Sequence, residues 1–144
     1  MVTGTAAAAP RSARPPARPR PHTPRGWVPE RQDVIWIDCN PQAGGEMRDL
    51  HPMLVLSPGA FNAHTGLVIG LPMTTAGYNA TNPFALVAGV AGGHKAGKTS
   101  YVLCHQPKSF DWRARGAKPH PQRRLEDAVF VQACAVLNQI VGIG

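Results

Sequence analysis

From Trp27 to about Arg124 the chain offers only short apolar runs, rich in Val, Ile, Leu and aromatic residues, and cut at close intervals by Pro, Gly and Asn. Runs of this length are too short for a helix and have the composition of strands. Five are expected to be strands: Asp33–Cys39 (DVIWIDC), Met53–Ser57 (MLVLS), Gly66–Leu71 (GLVIGL), Phe84–Val90 (FALVAGV) and Tyr101–Cys104 (YVLC). A sixth stretch, Ser109–Arg113, reads as strand or turn. The period changes only at the end, where Leu125, Val129, Ala133, Val136, Leu137 and Ile140 recur at helical steps. This predicts a helix from about Leu125 to Val141, with Glu126 and Asp127 in the first turn favoured by the helix dipole and Gly142 just past the end. Phe130, Val131 and Cys134 widen its apolar face, so it is expected to be covered both by its own sheet and by a second subunit. The fold class that follows is mainly β with a C-terminal helix, in one domain over residues 27–144.

Residues 1–26 have a different texture. Ala, Pro and Arg dominate, large apolar residues are nearly absent, and the segment is expected to be a disordered arm. Its charge also corrects a first impression of the whole chain. The formal net charge is +7, which points to a polyanionic partner, but five of the fifteen basic residues (Arg11, Arg14, Arg18, Arg20 and Arg25) precede Trp27 with no acidic residue among them. The domain itself is only mildly cationic. Three cysteines (Cys39, Cys104 and Cys134) without a C-x-x-C pair do not make a disulfide framework, and nothing reads as a secretory signal, so a reducing cytoplasm is expected. No apolar run approaches the ~20 residues of a membrane span.

Several local patterns carry chemistry. Gly92-Gly93-His94-Lys95-Ala96-Gly97-Lys98-Thr99 satisfies the phosphate-binding pattern G-x-x-x-x-G-K-[ST]. That chemistry needs a helix starting at the Lys-Thr pair, whereas Tyr101–Cys104 reads as strand and Pro107 would break a helix early. The match is therefore read as a Gly/Lys-rich hairpin loop. His51, His64, His94 and His105 are scattered, and the neighbours Cys104 and His105 point to opposite sides, so no metal site is expected. Two segments mix useful types. Gly44–Pro52 follows a flexible Gly-Gly with Glu46, Arg48 and His51, either an acid/base pair beside a phosphate or an ordinary polar loop. Lys108–Gly116 interleaves cations with Phe110 and Trp112, which suits either single-stranded nucleic acid or a half-buried strand edge.

In order along the chain, Asp33–Asp38, Asn40-Pro41, Gly44-Gly45-Glu46, Pro52–Pro58, Phe61-Asn62, Thr65-Gly66, Pro72–Thr75, Asn82–Phe84, Gln106, Lys108-Ser109 and Trp112–Gly116 resemble the MazF/PemK family of toxin endoribonucleases. The resemblance implies a small SH3-like barrel and a homodimer that cleaves single-stranded RNA without metal or other cofactor, neutralised by a cognate antitoxin. It implies a catalytic loop running from a Glu to an Arg directly before a Pro, completed by a Thr at the end of a later strand. Glu46 and Thr74 match, while His51 stands where the Arg is expected. An imidazole, with an unperturbed pKa of ~6.5, is suited to proton transfer, whereas Arg serves best as a phosphate clamp. Proton transfer is therefore assigned to His51 and Glu46, and phosphate stabilisation to Thr74 and Arg48. RNA positioning is assigned to Thr75, Gln106, Lys108, Ser109, Arg113 and Arg115. The alternative is a CcdB-like toxin that poisons a protein such as DNA gyrase without chemistry, since one fold can host both.

Overall fold

The computed structural model describes residues 22–90 and 97–144. The chain runs β1 (Asp33–Asp38), β2 (Leu50–Val55), α1 (Gly59–Thr65), β3 (Leu67–Thr74), a 3-10 turn (Gly77–Thr81), β4 (Ala85–Val90), β5 (Thr99–Leu103), β6 (Lys108–Asp111), β7 (Lys118–Arg124) and α2 (Asp127–Val141). All pairings are antiparallel and follow the order β4-β5-β3-β2-β1-β7, with β6 also on β3. The sheet is a curved half-barrel, mainly β with a C-terminal helix as expected.

The curvature comes from β3, which changes partners along its length. Leu67–Gly70 pair with β6, Gly70–Pro72 with β2, and Met73-Thr74 with β5. Gly70 sits where these partnerships overlap. A Cβ there would lie 2.4 Å from the Leu54 carbonyl oxygen and 2.9 Å from Met53 atoms, so only glycine admits this approach of β2 to β3.

Side chains alternate across the sheet and bury both faces. On one, Val34, Leu54, Leu71, Met73 and Val102 meet Leu125, Phe130 and Ala133 at the helical end of the chain. Buried Gln32 ties this end down: its amide donates to the Leu125 carbonyl (2.8 Å) and to Asp127 Oδ1 (2.6 Å), while its oxygen accepts from Arg124 Nη2 (2.8 Å). On the other face, Ile35, Ile37, Met53, Val55, Val68 and Phe110 gather around Trp112, with Trp27, Val28 and Met47 packed against them. Fully buried Asn62 connects this face to the rest. It accepts from Ser57 Oγ (2.5 Å), donates to the carbonyls of Pro29 (2.8 Å) and Ser57 (3.0 Å), and its own carbonyl accepts from Trp112 Nε1 (2.8 Å).

The structure extends or corrects several sequence expectations. β2 starts at Leu50 rather than Met53, so His51 and Pro52 belong to a strand and not to the preceding loop. β3 continues through Pro72 to Thr74. Helix α1 is too short to show a period. β7 contains Pro119 and Pro121 and is tolerated because it pairs only with β1, at the edge of the sheet. The arm expected at 1–26 lies outside the described residues up to residue 21. Residues 23–28 line a cavity of about 320 Å³ with Trp112 and Arg113. No helix among the described residues is long and apolar enough to cross a membrane.

Asn62→Ala takes away the amide that bonds the buried Pro29 and Ser57 carbonyls and leaves a void beneath Trp112, and is expected to lower unfolding stability by about 2–3 kcal/mol. In urea this should appear as a lower midpoint with an unchanged slope.

Candidate active site

The site is assembled around the loop between β1 and β2. Its neck is closed by reciprocal bonds: Asn40 Nδ2 donates to Asp49 Oδ1 and the Asp49 amide donates to Asn40 Oδ1, both at 3.0 Å, and the Cys39 amide reaches the Asp49 carbonyl at 2.8 Å. Arg115 braces the same neck. Its Nη1 donates to the carbonyls of Asp38 (2.9 Å) and Asn40, while its guanidinium lies 4.1 Å from the Phe110 ring centre. Within the loop, half-buried Met47 packs against the Trp112 cluster, and its amide donates to Gln106 Oε1 (3.0 Å). Gln106 Nε2 returns a bond to the Gly45 carbonyl at 3.4 Å. A loop held by this many backbone bonds presents its side chains in a fixed position.

The side chain so presented is Glu46. Its Oε1 lies 2.8 Å from Lys108 Nζ and its Oε2 accepts from the Ala43 amide at 3.1 Å. The hydrogen bond from Lys108 first, then that from the Ala43 amide, holds its carboxyl below the usual carboxylate range. Glu46 and Lys108 border an open groove of about 400 Å³ with Gly45, His105, Gln106 and Pro107.

Strand parity brings the remaining chemistry to this side of the sheet. Met53 and Val55 of β2, Val68 of β3 and Phe110 of β6 all belong to the Trp112 face. Residues two apart share a face, so His51, Thr74 and Lys108 point the same way. Met53 is opposite Pro72, so His51 and Thr74, each two residues away along its strand, lie beyond the same end of the β2–β3 pairing. His51 is half-buried, with Nδ1 3.2 Å from the Met73 carbonyl oxygen. A carbonyl only accepts, so in this contact Nδ1 is the donor. Thr74 is buried, its hydroxyl oxygen accepting from the Ala76 amide at 3.2 Å, and Thr75 follows directly, half-buried.

Other residues singled out from sequence stand apart. Arg48 is exposed, two positions beyond Glu46, with no hydrogen bond or ion pair among the described residues. Ser109 lies opposite Ile69 on the other face of β6. Arg113 is beyond the far end of β6, stacked 4.3 Å from the Trp112 ring centre. Two exposed rings beside the groove, Phe84 and His105, were not singled out as a pair, because the only sequence signal at His105 was its neighbour Cys104, read as a possible metal ligand. The thiols offer no nucleophile here: burial above all pushes Cys39 and Cys104 up to about 11. Among the described residues no three His, Cys, Asp or Glu side chains are grouped as metal ligands. At the apparent phosphate-binding pattern, positions 92–96 lie outside the described residues. Thr99 begins β5, paired with Val90 of β4, and not a helix.

Known proteins are similar to this chain in sequence and in fold. The model of a family described as PemK-like, MazF-like toxins of type II toxin–antitoxin systems matches residues 30–141. The endoribonuclease toxin MazF of Escherichia coli K12 is 35% identical over 118 residues, covering 81% of this chain and 96% of the relative. The crystal structure of MazF from Deinococcus radiodurans superposes with a TM-score of 0.67 at 31% identity, over 81% of this chain and 99% of that one. A MazE–MazF structure from the same organism gives a TM-score of 0.62 at 27% identity, over 82% and 99%.

Removing the Lys108 charge should release Glu46. In Lys108→Met the Glu46 carboxyl, followed by carbon-detected NMR, is expected to titrate at higher pH than in the unsubstituted protein, because the lost hydrogen bond and charge both favoured its ionised form. An unmoved midpoint would show that the pair does not persist in solution.

Proposed function

The chain belongs to the PemK-like, MazF-like toxins of type II toxin–antitoxin systems, and from that premise we propose that it is an endoribonuclease toxin that cuts single-stranded RNA without a metal ion. What supports this reading is an anchored carboxylate–ammonium pair, Glu46 and Lys108, with Lys108, His51 and Thr74 on one face of the sheet. Cleavage by the internal 2′-OH needs three things: a base for its proton, an acid for the departing 5′ oxygen, and donors for the charge that builds on phosphorus. The 2′ oxygen bonds to phosphorus as the P–O5′ bond breaks, giving 2′,3′-cyclic phosphate and 5′-OH ends.

Proton transfer falls to Glu46, an ionised carboxylate whose basicity Lys108 reduces, and to His51, whose side-chain type changes charge near neutrality. Thr74 and Arg48 stabilise the phosphate, and Lys108, Gln106 and Thr75 position the RNA. Arg113 extends that positioning away from the groove, Ser109 on the opposite face of β6 does not contribute, and Arg115 acts by holding the neck of the catalytic loop.

The partners in this reading are single-stranded RNA, a cognate antitoxin and a second copy of the chain. Support for the last comes from α2, whose inner face carries Phe130 and Ala133 while Val131 on the outside is 64% exposed and Ile140 and Val141 are also exposed. Light scattering at micromolar concentration should return twice the 15.3 kDa protomer mass, and a monomer would count against the dimer.

The activity is tested by incubating purified protein with a long RNA in EDTA and mapping the ends. Discrete cuts with 5′-OH ends are expected, and His51→Ala should slow them by about 10²–10⁴-fold with little change in RNA affinity. Intact RNA under all conditions would favour a toxin that acts on a protein target. Full activity in His51→Ala would overturn the acid/base assignment and move the chemistry to Glu46 and Arg48.

A further inference from the structure

We infer that Phe84 and His105 form a stacking shelf for one base of the RNA at the wall of the groove, an assignment that rests on the endoribonuclease reading above. The two residues come from different strands and are brought together by the backbone. The Phe84 carbonyl accepts from the Cys104 amide at 3.1 Å, which continues the β4–β5 ladder one step past the Ala85–Leu103 pair. The chain then turns, with the Gln106 amide on the Leu103 carbonyl at 3.2 Å, and His105 is left beside Phe84. Their ring centres are 5.8 Å apart with planes inclined at 34°. The Phe84 amide is also fixed, donating to Asn82 Oδ1 at 3.0 Å.

Neither ring serves the interior. Both core clusters are complete without them, Phe84 is 44% exposed and His105 is exposed. A phenylalanine left this open forgoes much of the apolar burial that is its ordinary use. His105 lines the groove together with Glu46, Gln106 and Lys108, and Phe84 stands against His105. An aromatic wall beside a cation is the combination that takes single-stranded nucleic acid, since a splayed base offers its π-face to a ring while its phosphate is drawn to the charge. A duplex keeps its base faces covered and cannot use such a shelf. Stacking accepts every base, so the shelf contributes to affinity and to the choice of unpaired RNA more than to the choice of sequence.

The test uses the full chain and an RNA oligonucleotide spanning a mapped cut site, with 2′-deoxyribose at the scissile nucleotide to prevent cleavage. 2-Aminopurine is placed at each neighbouring position in turn, because its fluorescence is quenched when it stacks. Quenching at one position is expected. His105→Ala should abolish it there, weaken binding roughly five- to hundredfold, and raise KM far more than it lowers kcat on cleavable RNA. His105→Phe should restore quenching and affinity, and neither substitution should move the melting midpoint, since the side chain is exposed. If His105→Ala binds and quenches like the unsubstituted protein while RNA is still cut, the shelf is wrong and the cleavage reading stands. If the unsubstituted protein neither binds nor cuts RNA, the cleavage reading has failed and the shelf falls with it.

Discussion

The close approach of β2 to β3 at Gly70 is the contact from which the rest of this structure follows. Because no Cβ stands between Gly70 and the Leu54 carbonyl, β3 can lie against β2 in its middle while its two ends turn to β6 and β5. One strand thereby joins all the others into a single curved sheet. The same strand carries Thr74 at one end and faces Lys108 across Gly70, so the geometry that curves the fold also gathers the chemistry. Burial of both sheet faces then makes the register costly to change, since a slip by one residue would exchange the two cores.

The parts of the fold that were legible in sequence are those whose signal is local. β1 and α2 announce themselves through an apolar run and a sustained helical period, and their observed bounds differ from the expected ones by one residue and two. β7 was illegible because its prolines argue against a strand, and only its position at an edge, a property of the assembled sheet, removes the objection. The continuation of β3 through Pro72 was missed for the same reason. Helix α1 was missed because seven residues give no period to read.

Legibility at the site divides in the same way. Glu46, His51 and Lys108 drew attention through residue type and through the family resemblance, and Thr74 through the resemblance alone. What sequence could not supply is that Lys108 binds Glu46 directly, or that Gln106 is a brace for the Gly45–Met47 backbone. Arg113 and Arg115 look alike as cations in sequence but differ in the fold: one is stacked on Trp112, the other bonded to the carbonyls of Asp38 and Asn40. Phe84 and His105 have no shared signal at all until the β4–β5 pairing sets them side by side.

The energetics of the Glu46–Lys108 pair say what such an arrangement is for. Glu46 is largely exposed, and an ion pair in that setting contributes little to stability because solvent screens it and two long side chains must be ordered to form it. The loop does not depend on it either, being fixed independently by the neck bonds, by Gln106 and by the packing of Met47. A contact that neither stabilises the fold nor shapes the loop is best understood through what it does to the two groups themselves. It keeps a carboxylate ionised and an ammonium oriented at the rim of a groove. Groups arranged before substrate arrives need not be reorganised as charge develops during reaction, and that is where an otherwise weak surface interaction acquires its value.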